Sequence, residues 1–163
     1  VSVREVLTWP DPRLAQVCAP VEIIDPELIT DMFETMYDAP GRGLAAPQIG
    51  VMQRVFVMDV GWKTGEMEPM ACINPEIVSR SEARVTGEEG CLSLPGVSVE
   101  VERFAEVELR YTDLTGERLT QPLAGFASIC AQHELDHLDG KMHFDRVEAD
   151  LKARVLKEYE ALT

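Results

Sequence analysis

The stretch Gln132-His133-Glu134-Leu135-Asp136-His137 narrows what this chain can fold into more than any other. Residues four apart on a helix lie on one face, one turn above the other. His133 and His137 can therefore grip a single divalent cation, with Glu134 beside them as a proton acceptor. This is the HExxH pattern of metal hydrolases. The chain has only three histidines, so two unrelated surface histidines at this spacing beside a glutamate are a poor explanation.

The flanking residues put the motif on a covered helix. Phe126, Ile129, Cys130, His133 and His137 form one stripe at helical spacing, and Ala127, Ala131, Leu135 and Leu138 form a second apolar row. Gly140, just past Asp139, is placed to end the helix in a left-handed cap. Paired imidazoles that continue an apolar face belong to an interior metal centre, not to a solvated surface.

At 163 residues the chain is read as one domain, residues 1–163, large enough for a real core. The hydrophobic share is 45%, as in globular proteins, and no apolar run reaches membrane-spanning length. A net charge of −14 repels phosphate backbones and anionic lipid, which argues against nucleic acid or a membrane as direct partner. Cys18, Cys72, Cys91 and Cys130 are widely spaced. Without a secretory signal pattern they read as reduced thiols, one of them available as a ligand, and the expected compartment is the cytoplasm.

Along the chain, a Pro-punctuated N-terminal arm (residues 1–24) leads to Asp25-Pro26-Glu27, a helix start with a capping Asp and Pro at the first position. Leu28, Ile29, Met32, Phe33 and Met36 mark its buried side up to about Tyr37. Leu44 to Gly50 looks too small and punctuated for a regular element. Strands are expected over Arg54–Val60, over Met70–Val78 with a break at Asn74-Pro75, over Val97–Val101, over Val107–Tyr111 and over Arg118–Pro122. Residues 82–90 carry several acids and lead into the turn at Gly90-Cys91, with no element assigned to them. Asp145-Arg146-Val147-Glu148 reads as a capping box opening a last helix, with Val147, Leu151, Val155, Tyr159 and Leu162 inward. Strands in a run with helices set around them make the fold α+β.

A hydrolytic site of this type needs a third protein ligand and one open position. Two residues are candidates. His143 completes a longer metzincin-like pattern, His133-Glu134-x-x-His137-x-x-Gly140-x-x-His143, which would make the chain a protease; the methionine turn that pattern requires is missing after Met142. Cys91 follows Gly90 in a tight turn between strands, where the backbone can approach a cation closely.

Three segments in order resemble peptide deformylase: Gly41-Arg42-Gly43-Leu44-Ala45-Ala46-Pro47-Gln48, Glu89-Gly90-Cys91-Leu92-Ser93, and Gln132 to His137. The resemblance implies antiparallel sheets packed around the HExxH helix, and removal of formyl, as formate, from the N-formyl-methionine of nascent peptides. It implies Cys91, His133 and His137 as metal ligands, Glu134 as general base, and the Gln48 amide and Leu92 backbone N–H as donors to the developing oxyanion. It implies one divalent metal ion, natively ferrous iron, with zinc, nickel or cobalt able to occupy the site. Gly41, Arg42, Gly43, Gly90, Phe126, Ile129 and Cys130 are the residues it sets around the substrate, and Glu88, Glu89 and Asp136 are candidates to support the imidazoles.

This chain departs from the family pattern at several positions. Arg42 stands where an apolar residue is usual, and Phe126 where a leucine is expected, which would shorten a methionine-sized pocket. No Arg follows Cys91 at the position that holds substrate backbone; Arg103 is left either to compensate or to pair with Glu89. On the last helix Arg146, Lys152, Arg154 and Lys157 offset Glu148, Asp150, Glu158 and Glu160, which gives no support for docking to the ribosome. These departures leave open another N-formyl compound as substrate.

Overall fold

The computed structural model describes residues 2–163. Two antiparallel sheets and three α-helices build the fold. The larger sheet has the order β1-β2-β3-β6-β7, formed by β1 (Gly43–Ala45), β2 (Val55–Met58), β3 (Met70–Arg80), β6 (Glu106–Thr112) and β7 (Arg118–Ala124). The smaller is the hairpin of β4 (Arg84–Glu89) and β5 (Val99–Phe104).

Alternation along β2 explains why the large sheet is covered on both faces. Side chains of a strand point alternately to opposite sides. Phe56 and Met58 pack with Cys130, Ala131 and Leu138 of helix α2 (Gly125–Leu138). Val55 and Val57 face the other way, against Leu28, Ile29, Met32 and Met36 of helix α1 (Pro26–Asp38). A third cluster joins Val99 and Val101 of β5 to Leu14, Leu94, Phe144 and, from helix α3 (Ala149–Leu162), Val155 and Tyr159. The HExxH helix thus lies inside the fold, between the large sheet and the hairpin.

Most local expectations hold. Asp25 caps α1 by accepting from the Glu27 and Leu28 amides. The break in β3 falls at Asn74, whose φ is +50°, and the pairing with β6 slips between Ile73 and Glu76. Gly140 takes φ +74°, and a Cβ there would sit 2.9 Å from the Ala15 carbonyl, so the end of α2 and the N-terminal arm fix each other. The Leu138 carbonyl at that end accepts from the Cys18 amide and the Arg54 guanidinium.

Four readings need correction. Residues 44–50 do contain regular structure, the last residues of β1 and a 3-10 turn over Ala46–Ile49, because this small-residue segment pairs with β2. Residues 84–89 form β4, which lacks an apolar pattern since all but Glu89 are exposed. Asp145 accepts from the Met142 amide at 2.9 Å, so its box closes the 3-10 turn His143–Arg146, and α3 starts later, after Glu148. Leu162 is 62% exposed instead of inward.

Candidate metal centre and active site

α2 is polar where a buried helix is expected to be apolar. Ser128, Gln132, His133, Glu134, Asp136 and His137 are all buried on it. A buried polar group is costly unless it is hydrogen-bonded, and the partners of these residues define the site.

Gln132 holds the helix to the hairpin. Its side chain accepts from the Phe104 amide at 3.0 Å and donates to the Phe104 carbonyl at 2.9 Å. Asp136 and Glu89 share Arg103. Its guanidinium gives two bonds to Glu89, at 2.8 and 2.9 Å, and one to Asp136 at 2.6 Å. Arg146 closes the other side of Asp136 at 2.6 Å. Glu89 in turn accepts from His133 Nδ1 at 2.8 Å. Burial pushes the Glu89 carboxyl up, but the bonds from Arg103 and His133 outweigh it and hold the group at about 2. Arg103 is 5% exposed and fully engaged, so it pairs with Glu89 and does not hold substrate.

With Nδ1 committed to Glu89, His133 turns Nε2 toward Cys91. A ligand atom from each of Cys91, His133 and His137 lies within 4.8 Å of the others, and Cys91 Sγ is 3.5 Å from His137 Nε2. Burial, then the neighbouring His133, lowers the His137 pKa well below that of a free imidazole, which leaves its lone pair available. One thiol and two imidazoles converging in a buried pocket fit a borderline divalent cation. His143, although buried, is not in this cluster. Its Nδ1 accepts from the Phe144 amide at 3.0 Å, and the ligand atoms that converge are those of Cys91, His133 and His137.

Glu134 is 5% exposed, and its Oε1 has no hydrogen-bond partner among the described residues. Burial, reinforced by Glu89 against the pull of His133, pushes its pKa up to about 7. The absence of a side chain at Gly43 makes room for it: a Cβ there would lie 2.6 Å from Glu134 Oε2 and 2.8 Å from Cys130 Sγ.

Gln48 is oriented from its oxygen end. Oε1 accepts from the Ala45 amide at 2.9 Å, which aims the NH2 group at Ser93 Oγ (3.0 Å) and Cys91 Sγ (3.8 Å). Ser93 is a site residue that sequence reasoning missed. It closes the Glu89-Gly90-Cys91-Leu92-Ser93 segment, which gave it no role of its own; in the structure it anchors the Gln48 amide. The N-terminal arm clamps both partners, through Leu7 N–H to the Gln48 carbonyl (2.7 Å) and Trp9 N–H to the Ser93 carbonyl (2.8 Å).

Gln48, Cys91, His133 and Glu134 line a cavity of about 410 Å³. Gly41, Arg42, Gly43, Gly90 and Leu92 border it from the two loop segments, and Phe126, Ile129 and Cys130 from α2. Phe126 is 48% exposed and stands at the mouth. The substrate-side set expected from the sequence is therefore brought together around one opening.

The chain matches the model of the polypeptide deformylase family over residues 3–153. It belongs to that family. The peptide deformylase of Afipia carboxidovorans is 47% identical over 162 residues, covering 98% of this chain and 95% of the relative. That of Alkalilimnicola ehrlichii is 45% identical over 165 residues, covering 99% and 92%. The crystal structure of peptide deformylase from Ehrlichia chaffeensis in complex with actinonin superposes with a TM-score of 0.91 at 34% identity, covering 99% of this chain and 98% of that one. The family's activity is the removal of the N-formyl group from nascent peptides, by a metalloenzyme. The protease alternative is set aside. No helix among the described residues is long and apolar enough to cross a membrane.

Proposed function

We propose that Cys91, His133 and His137 hold one divalent cation, natively ferrous iron, and that Glu134 is the general base for hydrolysis of the formyl amide of N-formyl-methionyl peptides. The chain then acts as an amidase on a linear, non-peptide C–N bond, within one domain spanning residues 1–163. The observation that carries this is the meeting of three ligand atoms next to a buried, unpartnered carboxylate. Zinc, nickel and cobalt suit the same thiolate-imidazole set.

A bound cation supplies Lewis acidity, which lowers the pKa of water and polarises the formyl oxygen. Glu134, poised near neutrality by burial, takes a proton from the attacking water and delivers it to the amine nitrogen as the C–N bond breaks. Formate and a free N-terminal amine are the products. Negative charge develops on the formyl oxygen, and the Gln48 NH2 and Leu92 N–H are the donors proposed for it. Gln48 already spends its good bond on Ser93; the 3.8 Å contact with sulfur is weak and is readily exchanged for a charged oxygen. Glu89 and Asp136, tied through Arg103, hold His133 and the helix in register and take no proton in the reaction.

The proposed setting is the cytoplasm, in keeping with four free cysteines. Neither the charge of −14 nor the balanced charges of the last helix supports a direct nucleic-acid partner or a ribosome-docking helix. Formate release from formyl-Met-Ala by anaerobically iron-loaded or nickel-loaded protein tests the proposal. Turnover supports it, and metal-loaded protein without turnover rejects it. A parallel panel of other formylated amino acids decides between formyl-methionyl peptides and a different N-formyl compound.

A further inference from the structure

Arg42 is an unpaired cation at the mouth of the catalytic cavity of a strongly acidic protein. Its guanidinium carbon lies 5.2 Å from the centre of the Phe126 ring, and among the described residues it has no carboxylate partner. Stacking on a ring occupies a face of the guanidinium and leaves its in-plane N–H donors free to meet a planar anion. Lys63, exposed and likewise without a carboxylate partner among the described residues, lines the same cavity.

Three carboxylates also line this cavity. Glu89 is consumed by Arg103 and His133, and Glu134 is the proposed base. Only Glu88 is uncommitted, and it stands on the other sheet, at the end of β4. The large-sheet side of the opening is therefore cationic.

The backbone of Arg42 is fixed. Its carbonyl accepts from the Asp59 amide at 2.9 Å and from the Cys130 thiol at 3.7 Å. The next residue, Gly43, abuts Glu134 directly, so Arg42 is one residue removed from the reacting centre. An arginine side chain reaches roughly 6–7 Å, about two residues of extended peptide at ~3.3 Å each.

We infer that Arg42 is a specificity-determining residue that binds a carboxylate carried within two residues after the formyl-methionine, with Lys63 adding to the attraction. This deepens the proposed deformylation and rests on it. The carboxylate has two sources, an acidic side chain or the free C-terminus of a short formyl-peptide.

The test compares kcat/KM of the metal-loaded full chain on formyl-Met-Ala-Glu-amide and formyl-Met-Ala-Gln-amide, and on formyl-Met-Ala as free acid and as amide. The expected preference for the carboxylate in at least one pair is about 5- to 30-fold, the scale of one charge-assisted hydrogen-bonded contact at a half-buried site. It lies in KM and shrinks as salt rises. Arg42→Leu brings the ratio to about 1, and Arg42→Lys keeps part of it. The pair that shows the preference identifies the source of the carboxylate. Equal kcat/KM within both pairs, or a ratio that persists in Arg42→Leu, overturns the inference. Calorimetric binding of the formyl-free products Met-Ala-Glu-amide and Met-Ala-Gln-amide, and of Met-Ala as free acid and as amide, decides it independently of turnover. Formate release from none of the substrates rejects the proposed reaction, while tighter binding of the Glu product in wild type but not in Arg42→Leu still supports the role of Arg42.

Discussion

Glu89 Oε1 sits 2.8 Å from His133 Nδ1, and the same carboxylate accepts from Nε and Nη2 of the buried Arg103. One residue of β4 thus orients an imidazole of α2 and neutralises a buried guanidinium. This contact couples the folding of the hairpin to the shape of the proposed metal centre.

Glu89→Gln breaks both functions. Arg103 is left to Asp136 alone, which already serves Arg146, so the buried guanidinium is only half compensated, at a cost of up to about 3–5 kcal/mol. The freed His133 lowers metal affinity by about 10- to 100-fold. Urea unfolding and competitive metal titration measure the two effects. A variant with wild-type values for both shows that the Glu89 contact does not matter.

The acid limit of stability follows from the same carboxylate. Its folded pKa of about 2 lies below the ordinary 4.5, so its contribution is present above about 4.5 and is lost as pH falls toward 2. The unfolding midpoint of the wild type declines through this window. In Glu89→Gln the decline is shallower, which a pH series of denaturant midpoints resolves.

Glu134 shifts in the opposite direction. Its folded pKa of about 7 exceeds the ordinary 4.5, so its favourable contribution in the metal-free protein is present below 4.5 and lost as pH rises through 7. Glu134→Gln removes that loss, and the metal-free variant is more stable than wild type by ~1–3 kcal/mol at alkaline pH. It also retains metal while deformylation drops by about 10²- to 10⁴-fold. Paired urea curves at acidic and alkaline pH, with rates on the metal-loaded forms, check both halves.

Gly43→Ala places a Cβ 2.6 Å from Glu134 Oε2. The base must move, and kcat falls by about 10²-fold, while overpacking costs about 1–3 kcal/mol. Wild-type kcat in this variant means that the glycine does not set the position of the base.

What was legible in the sequence followed physical periodicity. The HExxH helix, the Asp25 cap and the alternating strands β5 and β6 each carry a pattern that burial imposes. β4 was invisible because it exposes every side chain but that of Glu89, whereas its partner β5 alternates. Ser93 and the double role of Arg103 were hidden for another reason. Their partners lie far away in sequence, at Gln48, Glu89 and Asp136, and no local spacing reports such contacts. Asp145-Arg146-Val147-Glu148 misled because the Asp belongs to the 3-10 turn His143–Arg146 and caps its start at Met142 instead of the helix that follows.

The identity of the third ligand tests the proposed metal centre most directly. Cobalt(II)-loaded protein should bind one equivalent and show a thiolate-to-cobalt charge-transfer band in the near ultraviolet. Cys91→Ser is expected to abolish that band, and His143→Ala to leave both the band and the stoichiometry intact. A band of full strength in Cys91→Ser, or loss of cobalt in His143→Ala with the fold preserved, contradicts ligation by Cys91, His133 and His137.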